Sequence, residues 1–377
     1  MKQQKQQNPW HRTMLAASVG IALAGGSLLA QPATQAATQA AKQPGTHAAA
    51  ASNSSLRVFF MDVEGGQSTL FVTPSGSSLL VDTGWADHNG RDADRIVAAA
   101  HKAGLKRIDA VLLTHFHADH AGGVPQLLDR IPVGEFLDHG PNRELTPEVS
   151  GYYSAYLKAL AEHHVRRISL HPGEKLPVPG LDATAVTADW KVIDHPLPGG
   201  GEPNPFCSNL PAYPHDTTEN SRSLGIVIQF GRTRIVDLGD LTSDKEVELM
   251  CPINRIGTAQ ILIVSHHGWY PSSSPALIDA LHPRVAIMDN GALKGGSTPT
   301  LQRLKNDPGL ENWWQLHYSM EGGAKWNAPD AFIANLDRAT DPQAPDAGHG
   351  LTLTVQRNGS FRVTNERTGQ TRSYAAR

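Results

Sequence analysis

Charge of either sign is scarce in this chain. Lys and Arg total 33, Asp and Glu total 36, and charged residues make up 18% of 377 positions, leaving a formal net charge of -3. A protein whose main task is to grip a long nucleic acid needs a basic surplus, so no stable nucleic-acid partner is expected. A small anionic substrate stays open, because one local basic group or metal can meet it. Past residue 30 no segment is apolar enough to cross a bilayer, and no repeat has a solenoid period. Cysteine is almost absent. Cys207 and Cys251 allow one disulfide at most, and the sequence leaves a bridge and two free thiols equally open, since it does not give their separation in space.

The start is biased in composition. MKQQKQQNPWHR carries Lys2, Lys5 and Arg12, and the small apolar run MLAASVGIALAGGSLLA follows. This pattern predicts a secretory signal peptide over 1–30, cleaved near Ala30, in preference to a membrane anchor, because the run is at the low edge for spanning. No cysteine lies near that point, which argues against a lipoprotein. Residues 31–55 lack bulky apolar side chains and read as a flexible tether. The expected location is periplasmic or secreted, with no membrane span after the leader is removed.

From residue 56 strands and helices alternate. RVFFMD, STLFVT, SLLVDT and IDAVLLT read as strands, as do 223–230, 232–238, 260–265 and 284–289. RDADRIVAAAHKAG reads as a helix with early Asp residues and Gly104 at its end, and helical patterns recur around 147–164 and 243–250. The Pro- and Gly-rich stretch 191–216 reads as a surface loop. LTLTVQ and SFRVTN flank Asn358-Gly359, a hairpin signal, and TRSYAA follows. Two packed sheets covered by helices suit this order, and one such α/β sandwich can hold all of 56–377.

Directly after IDAVLL comes THFHADHAGG, which crowds His115, His117, Asp119 and His120 into six positions. Residues two apart on an extended segment face the same side, so His115 and His117 can reach one ion together. The turn through Ala118 swings Asp119 and His120 toward a second position. Imidazole and carboxylate suit zinc, and also manganese or iron. Asp240 in DLGDL and His266 and His267 in SHHGW likewise sit just past apolar strands. Three ligand-bearing loops at one sheet edge could converge, with Asp240 bridging two ions roughly 3.5–4 Å apart.

THFHADH, LVDTG, LGD and SHHG together resemble the metallo-β-lactamase-fold hydrolases. MDVEGGQSTLFV, ENSRSLGIVIQFGRTRIVDLGD and IVSHHGWYPSSSPALIDALHPRVAIM are similar to the ComEC-type competence and phosphorylcholine-esterase-like branch. The resemblance implies a four-layered αββα sandwich and two divalent metal ions, taken to be Zn2+ with Mn2+ or Fe2+ as alternatives. His115 and His117 would hold the first ion, and Asp119, His120 and His267 the second, with Asp240 between them. Asp82 would orient ligands and His266 would stand behind them. Many relatives carry a further histidine before the strand pair that ends at Asp240. Asn220 stands near that place here, and Asn220 or water is the expected substitute, with His215 and His139 as other candidates. Gln67 stands where the branch usually has an acid. Lys294, Asn290 and His317 are candidate pocket-lining residues, each with an ordinary surface role as the alternative. Trp85, Trp269 and Tyr270 could wall the site.

These readings predict an exported binuclear hydrolase in which Asp119 and Asp240 are catalytic and a metal-bound hydroxide attacks. The branch points to a phosphodiester or related phosphoester, an anionic small-molecule or cell-envelope substrate. A lactone or β-lactam ring is the alternative, and a non-catalytic metal-binding module is a further one. Flavodiiron relatives carry a carboxylate where His117 stands, which argues against oxygen reduction.

Overall fold

Two-residue alternation within the apolar runs decides the layering. In β1 (Leu56–Phe60), Leu56, Val58 and Phe60 join one buried cluster, while Phe59 and the following Met61 join another. β2 (Thr69–Val72) and β3 (Ser78–Val81) repeat the split, with Phe71, Leu79 and Val81 on one side and Leu70, Val72 and Leu80 on the other. A strand apolar on both faces must be covered on both. The computed structural model describes residues 54–86, 88–338 and 347–377. The expected leader and all but the last two residues of the expected tether lie outside them.

The elements that follow are α1 (Arg91–Lys102), β4 (Ile108–Leu112), α2 (Ala118–Ala121), α3 (Val124–Leu128), β5 (Val133–Asp138) and α4 (Pro147–Glu162). Next come β6 (Arg166–Ser169), β7 (Asp182–Ala188), β8 (Lys191–Val192), β9 (Gly225–Phe230), β10 (Thr233–Asp237), α5 (Ser243–Met250) and β11 (Ile261–Ile263). Then come α6 (Pro275–Leu281), β12 (Val285–Met288), α7 (Thr298–Asn306), β13 (Asn312–His317), α8 (Gly323–Trp326) and β14 (Ile333–Asn335). The last strands are β15 (Leu351–Val355), β16 (Phe361–Asn365) and β17 (Thr371–Tyr374).

Among the described residues these strands form two sheets, ordered β17-β16-β15-β1-β2-β3-β4-β5-β6 and β14-β13-β12-β11-β10-β9-β7-β8. A central apolar cluster takes residues from both, such as Val58, Val81, Ile226, Ile261 and Trp314, so the sheets lie face to face. Ile96, Leu127 and Tyr156 of α1, α3 and α4 cover the outer face of the first sheet. Leu249, Leu277 and Leu301 of α5, α6 and α7 cover that of the second. The result is the expected αββα sandwich.

β3, β4, β5 and β6 run parallel in one sheet, and β10 to β14 run parallel in the other. The loops after β3, β4, β10 and β11 meet at one edge. Leu224 N–H donates to Thr114 O at 2.8 Å and stitches the two sheets together there. The stretch 191–216 is less free than its composition suggests. Asn204 is buried and donates to the carbonyls of Met250 and Ala276, and Cys207 is disulfide-bonded to Cys251.

Candidate metal centre

β4 carries the chain into Thr114 and the histidine cluster, and Asp82 fixes the exit. Asp82 follows β3 with φ 59° and accepts from Thr114 N–H at 2.8 Å, from Thr114 Oγ1 at 2.7 Å and from His120 Nδ1 at 2.7 Å. It meets the His120 ring at Nδ1, on the side away from Asp240. His117 lies on extended backbone, with φ -69° and ψ 161°, and His115 Nε2 stands 3.0 Å from its Nδ1. The one-turn helix α2 then delivers Asp119 and His120 to a neighbouring point.

Four residues from three loops converge. One ligand atom each from Asp119, His120, Asp240 and His267 lies within 4.8 Å of the other three. His267 Nε2 is 3.1 Å from Asp119 Oδ2 and 3.3 Å from Asp240 Oδ1, and His120 Nε2 is 3.3 Å from Asp240 Oδ2. Asp240 Oδ2 in turn stands 4.0 Å from His115 Nε2, which links the first pair of histidines to the second group. His266 is nearer the centre than its expected place. Its Nε2 is 3.4 Å from Asp240 Oδ2 and 3.4 Å from the Asn220 amide nitrogen. Lys294 Nζ contacts Asp119 Oδ2, donates to Gly65 O at 2.8 Å and lies 5.1 Å from the centre of the Trp85 ring.

Other expectations are corrected. His215 is exposed, faces Asp244 at 3.3 Å and packs on Trp190, outside the cluster. His139 is buried against Phe116 and its Nε2 is spent on Glu219 Oε2 at 2.8 Å. Asn290 and His317 are neither surface nor lining residues. Both are buried, with Asn290 donating to His317 O and His317 facing Asp62 Oδ1 at 2.7 Å. Asp62, Glu64 and His317 form a second carboxylate–imidazole group, yet Arg95 already reaches the Asp62 carboxylate at 3.3 Å. Trp269 and Tyr270 are exposed beside the centre, and Trp269 meets the His266 ring edge-on.

The electrostatics favour cations. Burial would raise the Asp119 carboxyl, but Lys294 and His120 outweigh it and hold it well below the usual carboxylate range. Burial opposes ionisation of Asp240 too, and His120, His266 and His267 overcome it. Burial disfavours the charged form of His267, but Asp240 and its neighbours push it up to about 10. His115 is held well below the ordinary histidine range, first by burial and then by His120 and His117. Against the effect of burial, the surrounding carboxylates push both His120 and His267 toward the charged form. The donor set suits a divalent ion. Asp240 Oδ1 is buried and takes no hydrogen bond, although His267 Nε2 stands 3.3 Å away.

Residues 62–268, more than half of the chain, match the family described as Metallo-beta-lactamase superfamily. The chain belongs to that superfamily. This metallo-β-lactamase-fold protein is similar to Competence protein ComA of Neisseria gonorrhoeae, 24% identical over 234 residues, which are 62% of this chain and 27% of ComA. That match agrees with the competence-type motifs. A Hydroxyacylglutathione hydrolase of Xylella fastidiosa is 44% identical over 62 residues, 16% of this chain and 20% of that one. The chain spans about a quarter of the length of the competence relatives it matches. Among solved structures, Zn(2+)-bound PqqB of Methylobacterium extorquens aligns with a TM-score of 0.38 and 16% identity, over 70% of this chain and 98% of PqqB.

Sequence reasoning missed the carboxylates that stand behind two of the clustered histidines, His117 and His267. Glu144 Oε2 stands 3.0 Å from His117 Nε2 and accepts from Glu219 N–H at 2.8 Å. Asp289, at the end of β12, faces His267 Nδ1 at 3.3 Å. Asp289 could have been found, because it ends an apolar strand at the functional edge. Glu144 lies in GPNRELT, where nothing in the pattern marks it.

Proposed function

We propose that this protein is an exported two-metal hydrolase of anionic esters, with a phosphodiester as the substrate class. The observation that carries the reading is the convergence of Asp119, His120, Asp240 and His267 donor atoms within 4.8 Å, with His115 and His117 adjoining. Asp119, His120 and His267 would hold one ion, His115 and His117 the other, and Asp240 would lie between them. Bound there, the ions would supply Lewis acidity and lower the pKa of a water toward about 7.

The chain's own residues divide the remaining work. Asp119, kept ionised beside Lys294 and His120, would orient the attacking water by accepting a hydrogen bond from it. Lys294 sets a positive charge at the mouth, where it offsets that of an anionic substrate. Trp85 holds the Lys294 ammonium over its ring, and the exposed Trp269 and Tyr270 flank the entrance. Export is supported by the leader-like start and by the Cys207–Cys251 bridge, which an oxidising compartment lets form. The substrate class rests on likeness to the competence and phosphorylcholine branch together with Lys294, which is argument by analogy for the first and by charge for the second.

The deciding assay offers bis(p-nitrophenyl) phosphate, a lactone panel and nitrocefin side by side to protein whose metal content is measured. We expect phosphodiester turnover that a chelator removes and zinc restores. His117→Ala and Asp240→Ala should stay folded and lose turnover by at least about 10²-fold. Preference for lactones or nitrocefin would move the substrate class to ring hydrolysis. A metal-loaded protein inert toward all three would favour the binding module.

A further inference from the structure

The geometry points to His266 as the third nitrogen donor of the first metal position, in place of the histidine whose expected site holds Asn220. This rests on the two-metal reading above. The backbone argues first. β11 ends at Ile263, and an extended continuation would turn the His266 and His267 rings to opposite sides. Instead both residues take left-handed backbone, His266 at φ 55°, ψ 43° and His267 at φ 53°, ψ 19°, conformations that side chains other than glycine adopt rarely. The turn is held by His266 N–H donating to Gly239 O at 3.0 Å. Its effect is that the rings share one carboxylate. His267 Nε2 faces Asp240 Oδ1 at 3.3 Å, and His266 Nε2 faces Asp240 Oδ2 at 3.4 Å.

Asp240 Oδ2 is also the oxygen that His115 Nε2 approaches at 4.0 Å, and His115 Nε2 is 3.0 Å from His117 Nδ1. His115 Nε2 and His266 Nε2 therefore approach the same Asp240 oxygen from separate loops, and His117 Nδ1 stands beside His115 Nε2. The other nitrogen of each ring has its own partner. His117 Nε2 faces Glu144 and His115 Nδ1 faces Thr114 Oγ1 at 3.0 Å, as His120 Nδ1 faces Asp82. His266 follows the same rule, with Nδ1 3.1 Å from the buried Ser272 hydroxyl. A hydroxyl that accepts the Nδ1 proton leaves the Nε2 lone pair directed inward, as in a metal-bound histidine with its outer partner. Asn220 flanks the same nitrogen at 3.4 Å and is the rival donor through its buried Oδ1.

The test counts ions and imidazoles in the full chain. Zinc content and stepwise affinity are measured by chelator competition for wild type, His266→Ala, His266→Asn and Asn220→Ala, with thermal unfolding as the check on folding. The wild type should hold two ions per chain. Each folded His266 variant should weaken one position by at least about 10-fold, while Asn220→Ala should stay within about threefold of wild type. In the cobalt(II)-substituted protein, the NMR spectrum of His266→Ala should lose one hyperfine-shifted exchangeable imidazole N–H signal, a loss that a merely structural role would not cause. Unchanged affinity in both His266 variants, or weakening by Asn220→Ala alone, overturns the assignment. A wild type that takes up no zinc overturns the two-metal reading itself.

Discussion

Glu144 shows what a single carboxylate does for a histidine it does not share a loop with. His117 Nδ1 stands 3.0 Å from His115 Nε2, and a proton on its Nε2 would leave the Nδ1 lone pair on that side. Glu144 Oε2, 3.0 Å from Nε2, accepts that proton and selects the tautomer, while Glu219 N–H holds the carboxylate in place. Glu144→Ala should therefore weaken zinc binding about 10- to 100-fold with little change in unfolding temperature, and Glu144→Gln should recover part of it. Equal affinity in the alanine variant would remove this role. Glu246 makes a different residue-scale case. It is fully buried in α5 and accepts from the Ser273 and Ser274 N–H groups at 2.8 and 2.6 Å, yet burial dominates and pushes its carboxyl up from 4.5 to about 7. The folded form thus keeps a proton that the unfolded chain releases. That contribution to stability is complete below pH about 4.5 and is lost as pH rises through about 7, a change of up to about 3 kcal/mol. In the presence of chelator, unfolding temperature should fall between pH 5 and 8, and Glu246→Gln should flatten the fall. Identical slopes in the two proteins would show that Glu246 does not drive it.

The elements explain which parts of the centre could be read in advance. Apolar runs ending in Asp82, His115, Asp240 and His266 announce strands β3, β4, β10 and β11, and parallel order puts their C-terminal loops at one edge, the rule for α/β sheets. The layers were legible for the same reason, since Leu79, Val81 and Leu80 already show a strand buried on both faces. What could not be read was direction within a loop. The sequence SHHG does not reveal that two consecutive histidines leave extended backbone, nor that both rings then face Asp240. Nor does it reveal how close two loops come. Gly239 has φ 56°, and a Cβ there would stand 2.7 Å from Thr114 Cβ. Only glycine lets the β10 loop press against the end of β4, bringing Asp240 to the histidines. Gly239→Ala should push these loops apart, lower stability by roughly 1–3 kcal/mol and reduce zinc uptake, as calorimetry and metal analysis would record. Full zinc occupancy in this variant would mean that the approach is not required.

On the scale of the whole molecule, β15, β16 and β17 extend the first sheet on the far side of β1. β15 pairs with β1, Leu56 opposite Val355, and β12 to β14 widen the other sheet beyond the residues matched to the family. Among the described residues no helix is long and apolar enough to cross a membrane. Residues 193–222 lie between β8 and β9 and border the centre through Asn220. This stretch must stay in place without a sheet of its own, and the Cys207–Cys251 bridge ties it to the end of α5 across 44 residues. Closing a loop of that length restricts the unfolded chain and is worth about 4 kcal/mol on the entropic model. The bridge supplies none of the clustered side chains, so its effect should fall on stability and not on metal stoichiometry. The paired Cys207→Ser and Cys251→Ser variant, or wild type with reductant, should unfold several degrees lower while still binding zinc in the wild-type ratio. An unchanged unfolding temperature would show that the buried Asn204 contacts hold the loop alone. Loss of zinc from the folded variant would show instead that the loop helps to shape the centre through Asn220.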